Sequence, residues 1–126
     1  MLFSVHAGAW FALMASQLVY GWNATIYSSP NCEGSYYSVY PTQEHTKYFE
    51  MEGSSGVGMV CTYHGVDNST AGCTEQIPQG KSVKGTVGLC ESFPQAHSIG
   101  TPERQEVDDE CVTPDFDILS VVCYDP

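Results

Sequence analysis

Six cysteines constrain this chain more than any other feature of its sequence. They are Cys32, Cys61, Cys73, Cys90, Cys111 and Cys123, and all of them follow an apolar N-terminal stretch. An even number of cysteines behind such a stretch is typical of a disulfide framework formed in an oxidising compartment. We therefore expect three disulfides, whose pairing the spacing alone does not decide. A zinc site is disfavoured, because no two cysteines are separated by only two to four residues.

The apolar run from Val5 to Val19 predicts a secretory signal peptide. A membrane span needs about 20 apolar residues, and small residues follow this shorter run, as they do at a signal-peptidase site. We expect cleavage after Gly21, with a cut after Ala15 as the alternative. Residues 1–21 are then the signal peptide, and residues 22–126 form a single disulfide-rich β domain that is secreted to the extracellular space. A membrane anchor is the rival interpretation, but no lysine or arginine flanks the run.

The charge balance of the chain is strongly acidic. Fifteen Asp and Glu residues stand against four Lys and Arg, which gives a formal net charge of −11. Binding to a phosphate backbone needs clustered cations, so we expect no nucleic-acid partner and, after signal cleavage, no membrane partner. We expect a monomer without a cofactor or metal ion, whose partner is an extracellular protein or polysaccharide.

Short runs of Tyr, Val, Ile and Thr between turn residues predict an all-β domain. The first two strands are expected at residues 24–28 and 35–40, around a turn at Pro30-Asn31. Further strands are expected at residues 57–63, 82–90 and 115–124, with a third strand or irregular edge at residues 45–51. Residues 65–72 and 91–110 have loop composition. The expected architecture is a compact, disulfide-stapled sandwich or barrel-like domain of short antiparallel strands, with a Greek key as a candidate topology.

A weak internal repeat accompanies the cysteines. Residues 55–61, 84–90 and 118–123 each combine small and aliphatic residues and end in cysteine. This pattern predicts strands whose ends are pinned to a neighbour by a disulfide. We expect Cys32, in the first turn, to join the first two strands to one of these later cysteine-ended strands.

Tyr27, Cys32 and Gly34 form a Y-x4-C-x-G pattern. It resembles the hairpin motif of βγ-crystallin-type Greek keys, with cysteine where an aromatic residue usually stands. Together with the signal peptide and the cysteines, it makes the chain similar to small secreted cysteine-rich proteins of filamentous fungi, some of which have crystallin-like or killer-toxin-like folds. The resemblance covers residues 24–61 well and the remainder loosely, without a clean second copy. It implies an effector-like or toxin-like role.

Two kinds of candidate site residue stand out. The sequons at Asn23 and Asn68 predict N-glycosylation of a secreted chain. On the second strand, Tyr36 and Tyr40 are expected to point away from Val39 and to provide a binding face, although core packing is the commoner role of such aromatic residues. We expect no catalytic residue: the histidines His45, His64 and His97 are isolated, and the cysteines are expected to be paired.

Three functions follow from these observations. The first is a non-catalytic binding protein, effector-like or toxin-like, that acts at a host or competitor surface. The second is a cell-wall polysaccharide-binding glycoprotein. The third is a small ribonuclease-type hydrolase, because Tyr40-Pro41 followed by His45 and Tyr48 resembles a segment of the fungal guanyl-specific ribonucleases. That resemblance implies Glu91 as base and Arg104 as phosphate clamp, but no histidine follows Arg104 to act as the acid.

Overall fold

A computed structural model of the protein describes residues 21–43, 48–51, 58–73 and 79–126. The expected signal peptide, except for Gly21, lies outside the described residues. The described chain forms ten strands: β1 (Asn23–Ser29), β2 (Glu33–Pro41), β3 (Tyr48–Glu50), β4 (Met59–His64), β5 (Thr70–Gly72), β6 (Ser82–Val87), β7 (Leu89–Phe93), β8 (Glu103–Arg104), β9 (Cys111–Val112) and β10 (Ser120–Tyr124). Two short 3₁₀ turns, Pro30–Cys32 and Ala96–Ser98, complete the regular structure. The prediction of an all-β domain is confirmed.

The strands form two antiparallel sheets. The six-stranded sheet has the order β5-β4-β2-β1-β6-β9, and the four-stranded sheet has the order β3-β10-β7-β8. Strands β1 and β2 are a hairpin, β4 lies beside β2, and the later β6 returns to pair with β1. Among these four strands, this order is that of a Greek key, although β3, between β2 and β4 in the chain, belongs to the other sheet.

One core joins the two sheets. Ile26, Val39 and Val83 face inward from the six-stranded sheet, Phe49 and Val121 face inward from the four-stranded sheet, and each is 1% exposed. Alternate residues of a strand point to opposite faces, so these positions follow the period of two expected of half-buried strands. Burial of an aliphatic or aromatic side chain of this size contributes about 1.5–3 kcal/mol.

All six cysteines are paired, as Cys32–Cys111, Cys61–Cys73 and Cys90–Cys123. The expectation for Cys32 is wrong, since its partner Cys111 opens β9 and does not end one of the repeat segments. The prediction that the strands end at the cysteines of the repeat is also wrong, because β4 and β7 continue beyond Cys61 and Cys90. No disulfide joins a strand of one sheet to a strand of the other, because Cys32 lies in the first 3₁₀ turn, Cys73 follows β5, and Cys90–Cys123 links β7 to β10. The shared core and the connecting segments therefore hold the two sheets together.

The predicted strand at residues 82–90 is two strands in different sheets. Gly88 separates β6 from β7 with a φ of +79°, and a Cβ atom there would lie 2.2 Å from the carbonyl oxygen of Tyr124. This left-handed backbone lets the chain pass from one sheet to the other. As a result, Val87 and Leu89 are 39% and 37% exposed, whereas Val83 is buried, so the three residues do not share one face as they would in a single strand.

The predicted loop at residues 91–110 is ordered by strand pairing and by one buried amide. β7 continues to Phe93, and β8 pairs with it. The Gln105 side chain is buried: its Nε2 donates to Gly85 O at 2.8 Å and to Val107 O at 2.7 Å, and its Oε1 accepts from Gly85 N at 2.9 Å. The amide therefore pairs with Gly85 as a neighbouring strand would, and it ties this segment to the six-stranded sheet.

Two other boundaries differ from the prediction. Thr70–Gly72, within the predicted loop at residues 65–72, pairs with β4 as the edge strand β5, next to the Cys61–Cys73 disulfide. The predicted strand at residues 115–124 is regular only from Ser120, because Ile118 makes a single isolated bridge with Gly80 before β10 begins.

Candidate functional site: the tyrosine face

The outer face of the six-stranded sheet carries the two tyrosines expected to form a binding face. On β2, Tyr37 and Val39 are buried, whereas Tyr36 is half-buried and Tyr40 is 43% exposed. The structure therefore places Tyr36 and Tyr40 on the side away from the core, as the alternation predicted. We call this surface the tyrosine face and define it by Tyr27, Tyr36, Tyr40 and His64, together with Thr25, Ser38 and Thr62, which are their same-face neighbours on β1, β2 and β4.

Three rings form a row across three adjacent strands of the tyrosine face. Tyr27 is the register partner of Tyr36, which in turn is the register partner of His64. The ring centroids of Tyr36 and His64 lie 4.5 Å apart with an interplanar angle of 14°, and those of Tyr27 and Tyr36 lie 5.5 Å apart at 45°. Since the first distance is close to the spacing between strands, the rings of Tyr36 and His64 stand side by side on the sheet, with their faces toward each other.

A second row consists of hydroxyl-bearing residues. Thr25 on β1 is the register partner of Ser38 on β2, which is the register partner of Thr62 on β4. Beneath the face, Tyr37 and Tyr63 pair on the inner side with ring centroids 5.1 Å apart, and burial, followed by the nearby Tyr63, raises the pKa of Tyr37. The tyrosine face is thus a hydrogen-bonding surface held from below by packed aromatic rings.

The tyrosine face differs from the rest of the molecule in charge. Strands β1, β2, β4 and β5 contain one carboxylate, Glu33, and no lysine or arginine. In contrast, residues 103–117 contain Glu103, Glu106, Asp108, Asp109, Glu110, Asp115 and Asp117, seven of the fifteen carboxylates of the chain. This acidic segment includes β9, which forms the edge of the same sheet beyond β1 and β6. The uncharged surface is therefore flanked on one side by an acidic border.

The sequence alone places neither Tyr27 nor His64 on this face. His64 is isolated in the sequence, with no neighbouring residue that indicates a role for it. It lies at the end of β4, and only the pairing of β4 with β2 places it against Tyr36. No local signal in the sequence specifies that register, because β2 and β4 are not joined by a short turn: residues 42–58, which include β3, lie between them in the chain.

A cleft on the four-stranded sheet is the second candidate site. Glu91 on β7 is the register partner of Arg104 on β8, and Arg104 Nε donates to Glu91 Oε2 at 2.6 Å. The hydroxyl group of Tyr124 on β10 donates to Glu91 Oε1, also at 2.6 Å. The cleft has a volume of about 380 Å³ and is lined by Leu89, Cys90, Glu91, Arg104, Gln105, Glu106 and Tyr124. The hydrogen bond to the Glu91 carboxylate, with burial adding to it, raises the pKa of Tyr124.

The structure brings together only part of the residues that the ribonuclease resemblance implies. Glu91 and Arg104 are in contact, but His97 lies with Tyr48 and Glu50 beside β3, and β10 separates β3 from β7. Burial and the hydrogen bond to Glu50 raise the pKa of Tyr48 to about 12. His45 lies outside the described residues. The contacts of Glu91 with Arg104 and with Tyr124 form a fixed array of hydrogen-bonding groups.

The two predicted glycosylation sites occupy different surroundings. Asn68 is exposed, in the loop between β4 and β5, with a φ of +68°. Asn23 is half-buried at the start of β1, where its carbonyl oxygen accepts a hydrogen bond from the hydroxyl group of Thr86 at 3.3 Å. Attachment of a glycan at either asparagine stays a prediction.

Metal binding and membrane insertion were considered for the described residues only. Within them, no group of three His, Cys, Asp or Glu side chains is placed to hold a metal ion. No helix within the same ranges combines the length and the apolar character required to cross a bilayer. No family model, curated protein or solved structure matches the chain. The function is therefore inferred from the surfaces of the molecule itself.

Proposed function

We propose that this protein is a secreted, non-catalytic binding protein, effector-like or toxin-like in action, that contacts a protein on a host or competitor surface through its tyrosine face. The observation that carries the proposal is the uncharged row of Tyr27, Tyr36 and His64 on an outer sheet face. Three disulfides without a free cysteine support an oxidising, extracellular destination.

The composition of the tyrosine face favours a protein partner. The cores of protein interfaces are depleted in charged residues and enriched in tyrosine. A tyrosine supplies a large contact area and a hydroxyl group while losing little side-chain entropy. The ring row and the row of Thr25, Ser38 and Thr62 provide both features on adjacent strands.

The ring geometry favours a protein over a polysaccharide as the partner of the tyrosine face. A sugar residue stacks on the flat face of an exposed aromatic ring. In the row, one face of Tyr36 is covered by His64 and the tilted ring of Tyr27 lies on its other side. Tyr40, 43% exposed, is the ring that polysaccharide binding would use.

The acidic border indicates which charge the partner carries near its contact surface. Lys84 Nζ lies 3.9 Å from Asp109 Oδ1, and Lys81 pairs with Asp117, so both lysines of this edge are engaged with the acidic segment. The excess carboxylates there attract a partner whose rim is basic and raise its association rate at low salt. Association is therefore expected to slow as the ionic strength increases.

Binding of labelled protein, residues 22–126, to intact plant cells and fungal hyphae tests the proposal. Saturable binding is expected that protease treatment of the cells abolishes, and that Tyr40→Ala combined with His64→Ala weakens by about tenfold or more. Ile99→Ala is the matched control, because Ile99 is also exposed, at 52%, but belongs neither to the tyrosine face nor to the lining of the cleft.

Two results would overturn the proposal. Protease-resistant retention on insoluble chitin or glucan, lost in Tyr40→Ala, would assign the polysaccharide function in its place. Equal binding by the face variants and the Ile99→Ala control would show that the tyrosine face is not the contact surface.

A further inference from the structure

We infer that the cleft of the four-stranded sheet is a separate binding site that holds one neutral sugar residue of a glycan. This inference does not depend on the tyrosine face, which lies on the other sheet. It rests on the size of the cleft, on the fixed array of Glu91, Arg104 and Tyr124, and on the charges around it.

The cleft has the size and the walls of a small-ligand site. Its volume of about 380 Å³ falls within the range of about 300–1,000 Å³ typical of such sites. Leu89 and Tyr124, 37% and 43% exposed, offer apolar surface to a ligand. A pyranose ring has an apolar face of C–H groups and a periphery of hydroxyl groups, so it complements a wall of this kind beside polar side chains.

The polar groups of the cleft are held in fixed directions. The Glu91 side chain is 11% exposed, and its two oxygens accept hydrogen bonds from Arg104 and Tyr124. A carboxylate has about four acceptor positions and a guanidinium has five N–H donors, so each group retains capacity beyond these contacts. The Arg104 side chain is 70% exposed, with its Nε atom anchored on Glu91. The planar carboxylate of Glu91 can accept a hydrogen bond from one sugar hydroxyl group, and the planar guanidinium of Arg104 beside it can donate to the adjacent one.

The charges around the cleft favour a neutral ligand. Glu91 neutralises Arg104, and Glu106 adds a further carboxylate to the lining of a protein with a net charge of −11. An anionic ligand is repelled by this excess, and a cationic ligand meets the exposed guanidinium of Arg104. A ligand rich in hydroxyl groups and without charge avoids both costs.

Nuclear magnetic resonance titration of ¹⁵N-labelled protein tests the inference. The probes are methyl β-glucoside, methyl α-mannoside and N-acetylglucosamine, with sodium phosphate and sodium acetate as anionic probes. At least one sugar is expected to give saturable shifts at the amides of Leu89, Glu91 and Glu106, with a Kd of about 1 mM, as befits a ligand of this size. The anions are expected to give no saturable shift there.

Variants make the result specific to the planar array. Arg104→Lys keeps the charge but removes the planar fork, and is expected to weaken sugar binding about tenfold. Tyr124→Phe keeps the ring and is expected to fold and to bind more weakly. Val66→Ala is the control that binds as the unmodified protein does, because Val66, 81% exposed in the loop between β4 and β5, belongs neither to the cleft lining nor to the tyrosine face. The inference is overturned if phosphate or acetate saturates the cleft, if Arg104→Lys binds the sugar as the unmodified protein does, if the sugar shifts map elsewhere, or if no sugar gives a saturable shift.

Discussion

Replacing Gln105 with alanine tests the claim that its buried amide ties the segment between β7 and β9 to the six-stranded sheet. Gln105 is 4% exposed and makes three hydrogen bonds with backbone groups, two to Gly85 and one to Val107. A hydrogen bond of this kind contributes about 0.5–1.5 kcal/mol, and a buried group left without a partner costs more. Water entering from the adjoining cleft offsets part of that cost.

We therefore expect Gln105→Ala to lower the free energy of unfolding by about 2–4 kcal/mol. The loss is large beside the about 5–15 kcal/mol of a typical domain. Urea denaturation followed by tryptophan fluorescence measures it, with an unchanged dependence on denaturant as evidence that the same folded state unfolds. Gln43→Ala, at an exposed position, is the matched control and is expected to change stability by less than about 0.5 kcal/mol.

Gln105→Glu sharpens the same test, because it preserves the shape of the side chain. The substitution removes the NH₂ group that donates to Gly85 O and Val107 O, and it places a buried carboxyl beside those two oxygens. Such surroundings disfavour the charged form, so this variant is expected to be more stable at acid pH than at neutral pH, relative to the unmodified protein. A cost for Gln105→Ala no larger than that of Gln43→Ala would refute the reasoning.

Three further predictions concern disulfides, pH and a turn. Removing Cys32–Cys111 by paired Cys→Ala substitution is expected to lower the free energy of unfolding by about 4.5 kcal/mol, and removing Cys61–Cys73 by about 2.9 kcal/mol, because the sequence separations are 79 and 12. The opposite order in urea denaturation would contradict this argument from chain entropy. The raised pKa of Tyr48 implies a contribution to stability that is fully present below pH 10 and is lost as the pH rises toward about 12. Tyr48→Phe is expected to reduce this loss in thermal scans. A pH dependence that Tyr48→Phe leaves unchanged would count against this role of Tyr48. Gly88→Ala is expected to cost about 2 kcal/mol or more, since it combines a φ of +79° with a backbone overlap; a crystal structure with an unshifted turn and unchanged stability would show that the account of this turn is wrong.

The parts of the fold that the sequence predicted are those that depend on local pattern. The alternation in β2 specified which of its tyrosines faces the core, and Pro30-Asn31 marked the turn between β1 and β2. The even number of cysteines predicted three disulfides, because unpaired thiols are unusual in this setting. These inferences need only the period of a strand and the chemistry of a turn.

The features of the fold that the sequence did not predict depend on contacts between residues that are distant in sequence. Nothing local distinguishes Gly88 from a glycine inside a strand, yet close packing against Tyr124 makes it the point where the chain changes sheets. Gln105 has the composition of a loop residue, and its role exists only because Gly85 lies beside it. The pairing of Cys32 with Cys111 likewise follows from β9 lying next to β6.

The candidate sites likewise combine residues that a local pattern predicts with residues that only the pairing of strands brings together. Tyr36 and Tyr40 were predicted from the alternation of one strand, but the contribution of His64 required the register between β2 and β4. The contact of Glu91 with Arg104 required the pairing of β7 with β8. A sequence thus predicts what one strand presents, whereas a binding surface is formed by several strands whose register is set by the whole fold.

A single charge introduced at the centre of the tyrosine face tests the central claim most directly. Ser38 is half-buried on β2 between Tyr36 and Tyr40, and no charged residue opposes it on β1 or β4. Ser38→Asp is expected to retain the fold by circular dichroism and to weaken saturable cell-surface binding by about tenfold or more, because a carboxylate buried at an interface without a partner is costly. Thr101→Asp, at an exposed position outside the strands of that sheet, is the control and is expected to bind normally. Equal binding by Ser38→Asp, Thr101→Asp and the unmodified protein would contradict the claim that this face is the binding surface.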